Sequence, residues 1–365
     1  MDAERGRARG LFSDLRFDLF AVVFAVGTLH HELQFILEQQ RVGPFAEYME
    51  RWGRAKQTIG WPSEVGIALH LADILIAVLV LVLPWRRALL CLLAVPFLLS
   101  QLASPERIAS HNSLMAGALA VLLVLGVAEI VERASWRGES DRERTDWYSW
   151  TLIGLSWLCA LTYIFAAFHK LSPTVFWPPR SQIVDLVAPL LRLLGVPRDW
   201  TVNYLGYPLI YGTVILEAVL PLLLFWRPTR LVGCFLGLAF HLPQMAMGVL
   251  DFPTLIVAFY PLFLSLEEAR ALVGRLLVWP SIPRLVSTAV LGGAGVVAIS
   301  RAAQPLALYS SSRGLEPVLA SVHSILLGVT FILFVHVALT LVAWGLRRGA
   351  TPMPAPLAVS LGSGR

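Results

Sequence analysis

The chain has 365 residues, of which 57% are hydrophobic and only 15% are charged, and its formal net charge is +5. This composition excludes a soluble globular protein and is typical of a polytopic membrane protein. Most of the arginines stand at the ends of apolar runs, which is the pattern of membrane topology signals rather than of a basic binding surface. We therefore predict contact with membrane lipid and no nucleic-acid partner.

Apolar runs of roughly 17 to 25 residues can cross a bilayer, and in lipid they must be helical because every backbone polar group needs an internal partner. The chain has about ten, near residues 15–37, 63–84, 86–103, 112–132, 147–168, 207–226, 229–248, 252–266, 285–300 and 322–346. The third, eighth and ninth are short. The predicted fold is an all-α polytopic bundle of about eight to ten transmembrane helices.

Positive charges are unequal on the two sides of this predicted bundle. If the N-terminus lies inside, eighteen Lys and Arg residues fall on the inner side and eleven on the outer side. This bias predicts a multi-pass protein of the cell's inner (plasma) membrane with both termini in the cytoplasm. It also places Lys170 at the extracytoplasmic end of the fifth helix.

Two predicted outer loops are long. The first, about 38–62, is expected to contain a short surface helix, and the second, about 171–206, holds the sequence SQIVDLVAPLLRLLG. The helical spacing of its apolar residues predicts an amphipathic helix, which either lies in the membrane interface or covers the bundle. Residues 1–348 are expected to form one transmembrane domain, and 349–365 a disordered cytoplasmic tail.

Burying an ionisable residue inside an apolar run costs free energy, so each such residue is a candidate for a functional role. His70 and Asp73 share one helix face and are expected to be an acid–His pair, two ligands, or a polar pair that joins helices. The adjacent His30 and His31 point about 100° apart, which disfavours joint ligation of one ion. No HExxH, ExxH or CxxC spacing occurs, so we predict no metal and no thiol–disulfide chemistry.

Lys170 is one of two lysines, beside 27 arginines. A lysine can lose its proton when it is desolvated, whereas an arginine effectively cannot, so Lys170 is a candidate base. The alternative is an anchor that extends its ammonium group to the membrane interface. Glu217 lies deep in the sixth predicted span and must be protonated, paired or next to water. A contact of Glu217 with His241 or with Lys170 is one hypothesis.

Three stretches resemble one known family. AAFHKLSPTVFW, which contains Lys170, resembles the segment of vitamin K-dependent gamma-carboxylases that ends in Lys-Lys-Leu with a downstream Trp. LEAVLPLLLFWRPTRLVGCFLGLAFHLPQMAMGVLDFPTL is similar to the next two helices of that family, with an acidic residue, a Phe-His pair and a Gln. SHNSLMAG is similar to a helix start that contains Asn and His. The similarity covers about 15–270, most strongly 163–255, and the bacterial group is called HTTM, the horizontally transferred transmembrane domain.

The resemblance implies quinol chemistry with Lys170 as the base, His169 standing where the family has its other lysine. The cofactor would be a reduced quinone, vitamin K-like, together with oxygen, and the products an epoxide and a strong alkoxide base. We expect His241 and Glu217 to orient the base, and an apolar cleft to hold the quinone ring. The other residues expected to bind substrate are His111, Asn112, His169, Tyr163, Phe168, Trp177 and Gln244.

Three functions remain open from sequence. The first is an enzyme of the carboxylase-like lyase or quinol epoxidase type, for which carboxylation of protein glutamates is not expected because only about 100 residues follow the matched part. The second is a non-enzymatic membrane partner or maturation factor. The third is a small-solute or proton-coupled transporter that uses His70, Asp73, Glu217 and His241.

Overall fold

The structure, a computed structural model, describes residues 14–39, 63–103, 110–135, 146–172, 176–193, 195–246, 251–277 and 316–350. All the regular secondary structure in these ranges is helical, so the predicted all-α fold is confirmed there. We number the helices α1 Leu15–Gln39, α2 Ser63–Val82, α3 Arg86–Ala103, α4 Ser110–Ser135, α5 Trp147–Lys170, α6 Gln182–Leu193, α7 Gly206–Phe225, α8 Arg230–Ala246, α9 Asp251–Ala258, α10 Tyr260–Phe263, α11 Leu266–Leu277 and α12 Glu316–Ala350.

Three helical runs within the described ranges are long and apolar enough to cross a membrane. They are Ser113–Glu132, Trp147–Lys170 and Arg198–Phe225. Shorter apolar helices cover Ala68–Val82, Phe252–Phe263 and Gly328–Trp344. The structure thus supports association with a membrane through long apolar helices.

The predicted boundaries agree with the structure to within a few residues in most helices. The predicted span 252–266 is divided in the structure into α9 and α10, and α11 begins at its end. The last helix is longer than predicted, because it begins at Glu316 and continues to Ala350. Positions 349 and 350 of the predicted tail belong to this helix. The predicted span 285–300, most of the loop 38–62 with its surface helix, and the remainder of the tail lie outside the described residues.

Helix α1 lies at the centre of the bundle, in contact with α2, α9 and α12. Its buried face carries Phe17, Phe20 and Phe24 at helical spacing, all at most 1% exposed. The rings of Phe20 and Phe24 contact the ring of Phe259, with centroid separations of 5.2 and 6.5 Å. The aromatic core therefore joins the first helix to the segment that follows α8.

At one end of the bundle, arginines that were predicted to lie on the inner side form ion pairs with acidic side chains. The contacts are Arg86 with Asp18 at 2.9 Å, Arg87 with Glu129 at 2.9 Å, and Arg230 with Glu268 at 2.8 Å. Arg16 also reaches the Leu264 carbonyl, at 3.4 Å. These contacts bring the starts of α1, α3 and α8 to the same end, as expected for helices that alternate in direction.

The predicted amphipathic helix is confirmed as α6, which packs against α7 and α8. Val184 and Ala188, four residues apart, are at most 2% exposed, so this face covers the bundle. The helix ends at Leu193, and Gly195 beyond it has a left-handed φ of 83°. The amide groups of Gly195 and Val196 donate to the carbonyls of Arg192 and Leu191, which satisfies the last turn.

Candidate functional site

Lys170 and Glu217 form a partly buried ion pair, which we call the lysine pair. Lys170 Nζ lies 2.7 Å from each carboxylate oxygen of Glu217. The Glu217 side chain is 4% exposed and the Lys170 side chain 22% exposed. One of the two partners proposed from sequence for Glu217 is therefore present.

Two packed helices position this pair. Lys170 is the last residue of α5, and Glu217 lies in the middle of α7, against which α5 packs. The chain enters α7 through a continuous helical run that begins at Arg198 and includes a π-helical turn, Thr201–Leu205. Glu217 is eight residues from the end of α7, and the Lys170 side chain contacts it from the last turn of α5.

A chain of four polar side chains, the tyrosine chain, lies beside the lysine pair. The Tyr163 hydroxyl is 2.5 Å from the Tyr260 hydroxyl and 2.8 Å from His241 Nε2. His241 Nδ1 is 3.2 Å from Gln244 Oε1. Tyr163, His241 and Tyr260 are at most 4% exposed, so these bonds satisfy polar groups that water does not reach.

The hydrogen bonds of the tyrosine chain run in one direction when His241 is neutral. Gln244 Oε1 accepts, so His241 Nδ1 carries a proton and donates to it. In the neutral ring Nε2 then accepts from the Tyr163 hydroxyl, which in turn accepts from Tyr260. The chain therefore fixes one tautomer and one orientation of the neutral imidazole.

The two sets of side chains are neighbours. Tyr163 precedes Lys170 by seven residues, which is two helical turns, so both lie on the same face of α5. Glu217 interacts electrostatically with Tyr163, and Lys170 with His241. Five of the residues predicted for the site are thus brought together, namely Lys170, Glu217, His241, Tyr163 and Gln244.

Gly237 makes room for Tyr260. A Cβ atom at Gly237 would stand 2.1 Å from the Tyr260 hydroxyl oxygen and 2.6 Å from the carbon that bears it. Gly237 lies one helical turn before His241 on α8. The absence of a side chain there lets Tyr260 reach Tyr163.

The other predicted site residues lie elsewhere. Phe168 is 67% exposed and Trp177 is 55% exposed, and His169 is also exposed, so none of them joins the buried cluster. In a membrane these surfaces would face lipid or the interface rather than form walls of a closed cleft. The side chains of His111 and Asn112 lie outside the described part of the chain.

A second group of ionisable side chains, the carboxylate–histidine cluster, joins α1 to α2. It consists of Glu32, His70 and Asp73, and one ligand atom of each lies within 4.8 Å of the others. Glu32 Oε2 is 2.6 Å from His70 Nδ1. The predicted pairing of His70 with an acid is therefore present, but the hydrogen-bonded acid is Glu32 and not Asp73.

Sequence reasoning did not assign Tyr260 or Glu32 to their clusters. Tyr260 stands in the apolar run LIVAFYPLF, and the only signal is that a buried tyrosine hydroxyl needs a partner. Glu32 is 38 positions from His70. A search for ligands at short spacing cannot detect such a pair.

The fold and both clusters define this protein as an all-helical chain with membrane-length helices and a buried polar interior. Comparison with family models, with curated proteins and with solved structures finds no match to the chain.

Proposed function

We propose that this chain is a multi-pass protein of the inner (plasma) membrane, of the HTTM type, with about eight to ten spans and both termini in the cytoplasm. It binds a quinol, or a similar lipid-soluble molecule, beside Lys170 at the extracytoplasmic end of α5. Lys170 removes a proton from the quinol hydroxyl. The observation that carries the proposal is the bidentate contact between Lys170 and the buried Glu217.

The lysine pair can hold its shared proton in two arrangements of equal net charge. One is an ammonium with a carboxylate, and the other is an amine with a carboxylic acid. Because burial penalises both charged groups, an apolar ligand that displaces water from the pair favours the neutral arrangement. Glu217 can thus take the proton from Lys170 and leave a free amine for use as a base.

In the proposed step the quinol O–H bond breaks and its proton forms a new N–H bond on Lys170. The electron pair of the O–H bond stays on the quinolate oxygen. The new ammonium faces the quinolate, so no net charge is created in the apolar site. The quinolate then reacts with oxygen, which in the gamma-carboxylase family gives the epoxide and the alkoxide base.

The tyrosine chain supports the proposal because its hydrogen bonds hold the side chains next to the lysine pair in fixed positions. Its four side chains satisfy one another, and Tyr163 shares a helix face with Lys170. A base must be held within a few tenths of an ångström of its productive position, which side chains locked by hydrogen bonds achieve. We assign His241, Tyr163 and Gln244 this positioning role.

The test uses purified full-length protein in lipid nanodiscs with phylloquinol or menaquinol added without oxygen. After oxygen is admitted, quinone and epoxide are measured by chromatography with mass spectrometry. We expect Lys170→Ala and Lys170→Arg each to reduce the rate by about 100-fold or more, since neither supplies a neutral amine. Arg192→Lys, at an exposed position of α6, is the control.

Full activity in Lys170→Arg would refute the role of base. If Lys170→Ala and Glu217→Gln change the melting temperature and no reaction is found in the wild type, the non-enzymatic alternative is favoured. Proton uptake by proteoliposomes, lost in Glu217→Gln, would favour the transporter. The quinone or lipid that co-purifies, identified by mass spectrometry, tests the substrate class directly.

A further inference from the structure

Asp73 is a buried acid on α2. Its side chain is completely buried, and neither carboxylate oxygen has a hydrogen-bond partner among the described residues. A buried carboxylate without a hydrogen-bond partner destabilises the folded protein, so it requires a compensating proton or cation.

The surroundings of Asp73 are those of a ligand set. His70 is one turn earlier on α2, and Glu32 faces both residues from α1. Glu32 is 1% exposed and His70 8% exposed, and Glu32 Oε1 also has no hydrogen-bond partner in the described structure. The cluster thus offers two carboxylates and one imidazole within 4.8 Å of one another, away from bulk water.

We propose that Glu32, His70 and Asp73 bind one divalent transition-metal cation, with Zn²⁺ and Mn²⁺ as the closest chemical matches. Imidazole nitrogen suits Zn²⁺, and carboxylate oxygens are accepted by both ions. Two carboxylates with a neutral histidine have a charge of −2, which a divalent cation neutralises. One proton would neutralise only one of the two carboxylates.

The spacing is near that of a metal site, but the side chains must move to bind an ion. Two atoms bonded to one tetrahedral Zn²⁺ at about 2.0–2.2 Å are about 3.4 Å apart. The ligand atoms of the cluster lie within 4.8 Å of one another, and Glu32 Oε2 is 2.6 Å from His70 Nδ1, so shifts of about 1 Å are required. The hydrogen bond between Glu32 and His70 would be replaced by bonds from each to the ion.

A second imidazole stands at the edge of the site. His31 Nε2 is 4.0 Å from Glu32 Oε1, and its ring lies 6.2 Å from that of Phe97. His31 is therefore placed to approach the open side of the ion or to hold a bound water. The bound ion would join α1 to α2, and this role does not depend on the lysine pair.

The experiment measures metal content and thermal stability of the full chain after removal of any purification tag. The protein is treated with a chelator and dialysed against Zn²⁺ or Mn²⁺, and bound metal is counted by mass spectrometry. We expect one equivalent per chain and a melting temperature that rises by several degrees when metal is restored. Asp73→Asn should lower the affinity at least tenfold and abolish the rise.

Two matched variants separate this site from other carboxylates. Glu129→Gln removes an acid that pairs with Arg87, and Lys170→Ala removes the proposed base. Both should bind metal as the wild type does, so loss of quinol activity and loss of metal are distinguishable. His70→Gln, which removes the nitrogen ligand, gives an independent test if Asp73→Asn does not fold.

The proposal is overturned if the wild type binds no stoichiometric metal under these conditions. It is also overturned if Asp73→Asn binds the metal as tightly as the wild type. A variant Asp73→Asn that is more stable than the metal-free wild type, with no metal in either, would show that Asp73 carries a proton instead.

Discussion

Tyr163 and His241 are 78 positions apart in the chain, and the hydroxyl of the first lies 2.8 Å from Nε2 of the second. This bond joins α5 to α8 inside the bundle, and Tyr260 extends it to α10. The contact fixes one tautomer of a buried histidine beside the lysine pair. The first two predictions concern this chain of bonds.

Tyr163→Phe should destabilise the protein by about 1–3 kcal/mol, because it leaves His241 Nε2 and the Tyr260 hydroxyl buried with one partner fewer. The measurement is the melting temperature in detergent. Tyr207→Phe, at a position that is 48% exposed on α7, is the control and should change little. Equal effects of the two substitutions would contradict the hydrogen-bond argument.

Gly237→Ala should displace Tyr260, since the new Cβ would stand 2.1 Å from its hydroxyl oxygen. The hydroxyl is fixed to a rigid aromatic ring and cannot move aside by itself, so we expect the free energy of unfolding to fall by about 1–3 kcal/mol. Gly212→Ala on α7 is the control, because a Cβ there meets no atom within 4 Å. Ala is the better helix former, so Gly212→Ala should be neutral or stabilising in the same melting experiment.

The lysine pair should show strong coupling in a double-mutant cycle. Lys170→Met alone leaves the Glu217 carboxylate buried without its cation, and Glu217→Gln alone leaves the ammonium without its anion. Each should cost about 1–3 kcal/mol, less than for a fully buried pair because Lys170 is partly exposed. The double variant should recover most of this loss. Strictly additive melting temperatures would mean that the contact contributes nothing.

Asp146 should make the start of α5 sensitive to acid. Its carboxylate accepts the Ser149 amide at 3.1 Å and the Ser149 hydroxyl at 2.5 Å, and these bonds lower the pKa of Asp146. A lowered folded-state pKa means that the stabilisation is complete above the unfolded value, about 4, and is lost as the pH falls through the folded value.

Asp146→Ala should therefore cost about 1 kcal/mol at neutral pH, as for the loss of a helix N-cap. The difference from the wild type should shrink when the melting temperature is measured at progressively lower pH, beginning below about 4. Ser149→Ala, which removes one of the two donors, should reproduce part of the effect. A difference that is constant with pH would contradict the role of the charged carboxylate.

The sequence predicted the helices well because their signal is local. Membrane-length apolar runs define α4, α5 and α7, and an apolar stripe at helical spacing defines α6. The same reasoning identified Lys170, by the rarity of lysine, and Glu217, by its depth in an apolar run. Both properties follow from the sequence alone and do not depend on which helices are neighbours.

The choice among partners is not a local property. Sequence left Glu217 with either His241 or Lys170, and the packing of α5 on α7 selected Lys170. The aromatic residues near Lys170 were expected around the site, but Phe168 and Trp177 are exposed because α5 presents only one face to the bundle.

By itself, the sequence determined the all-helical class, the positions of most helices and the residues whose burial would need an explanation. The tertiary structure decided which of these residues meet. It brought Glu32 to His70 and Asp73, and Tyr260 to Tyr163, across segments far apart in the chain. The physical reason is that hydrophobic periodicity encodes which face of a helix is buried, whereas the identity of the facing helix depends on the packing of the whole bundle.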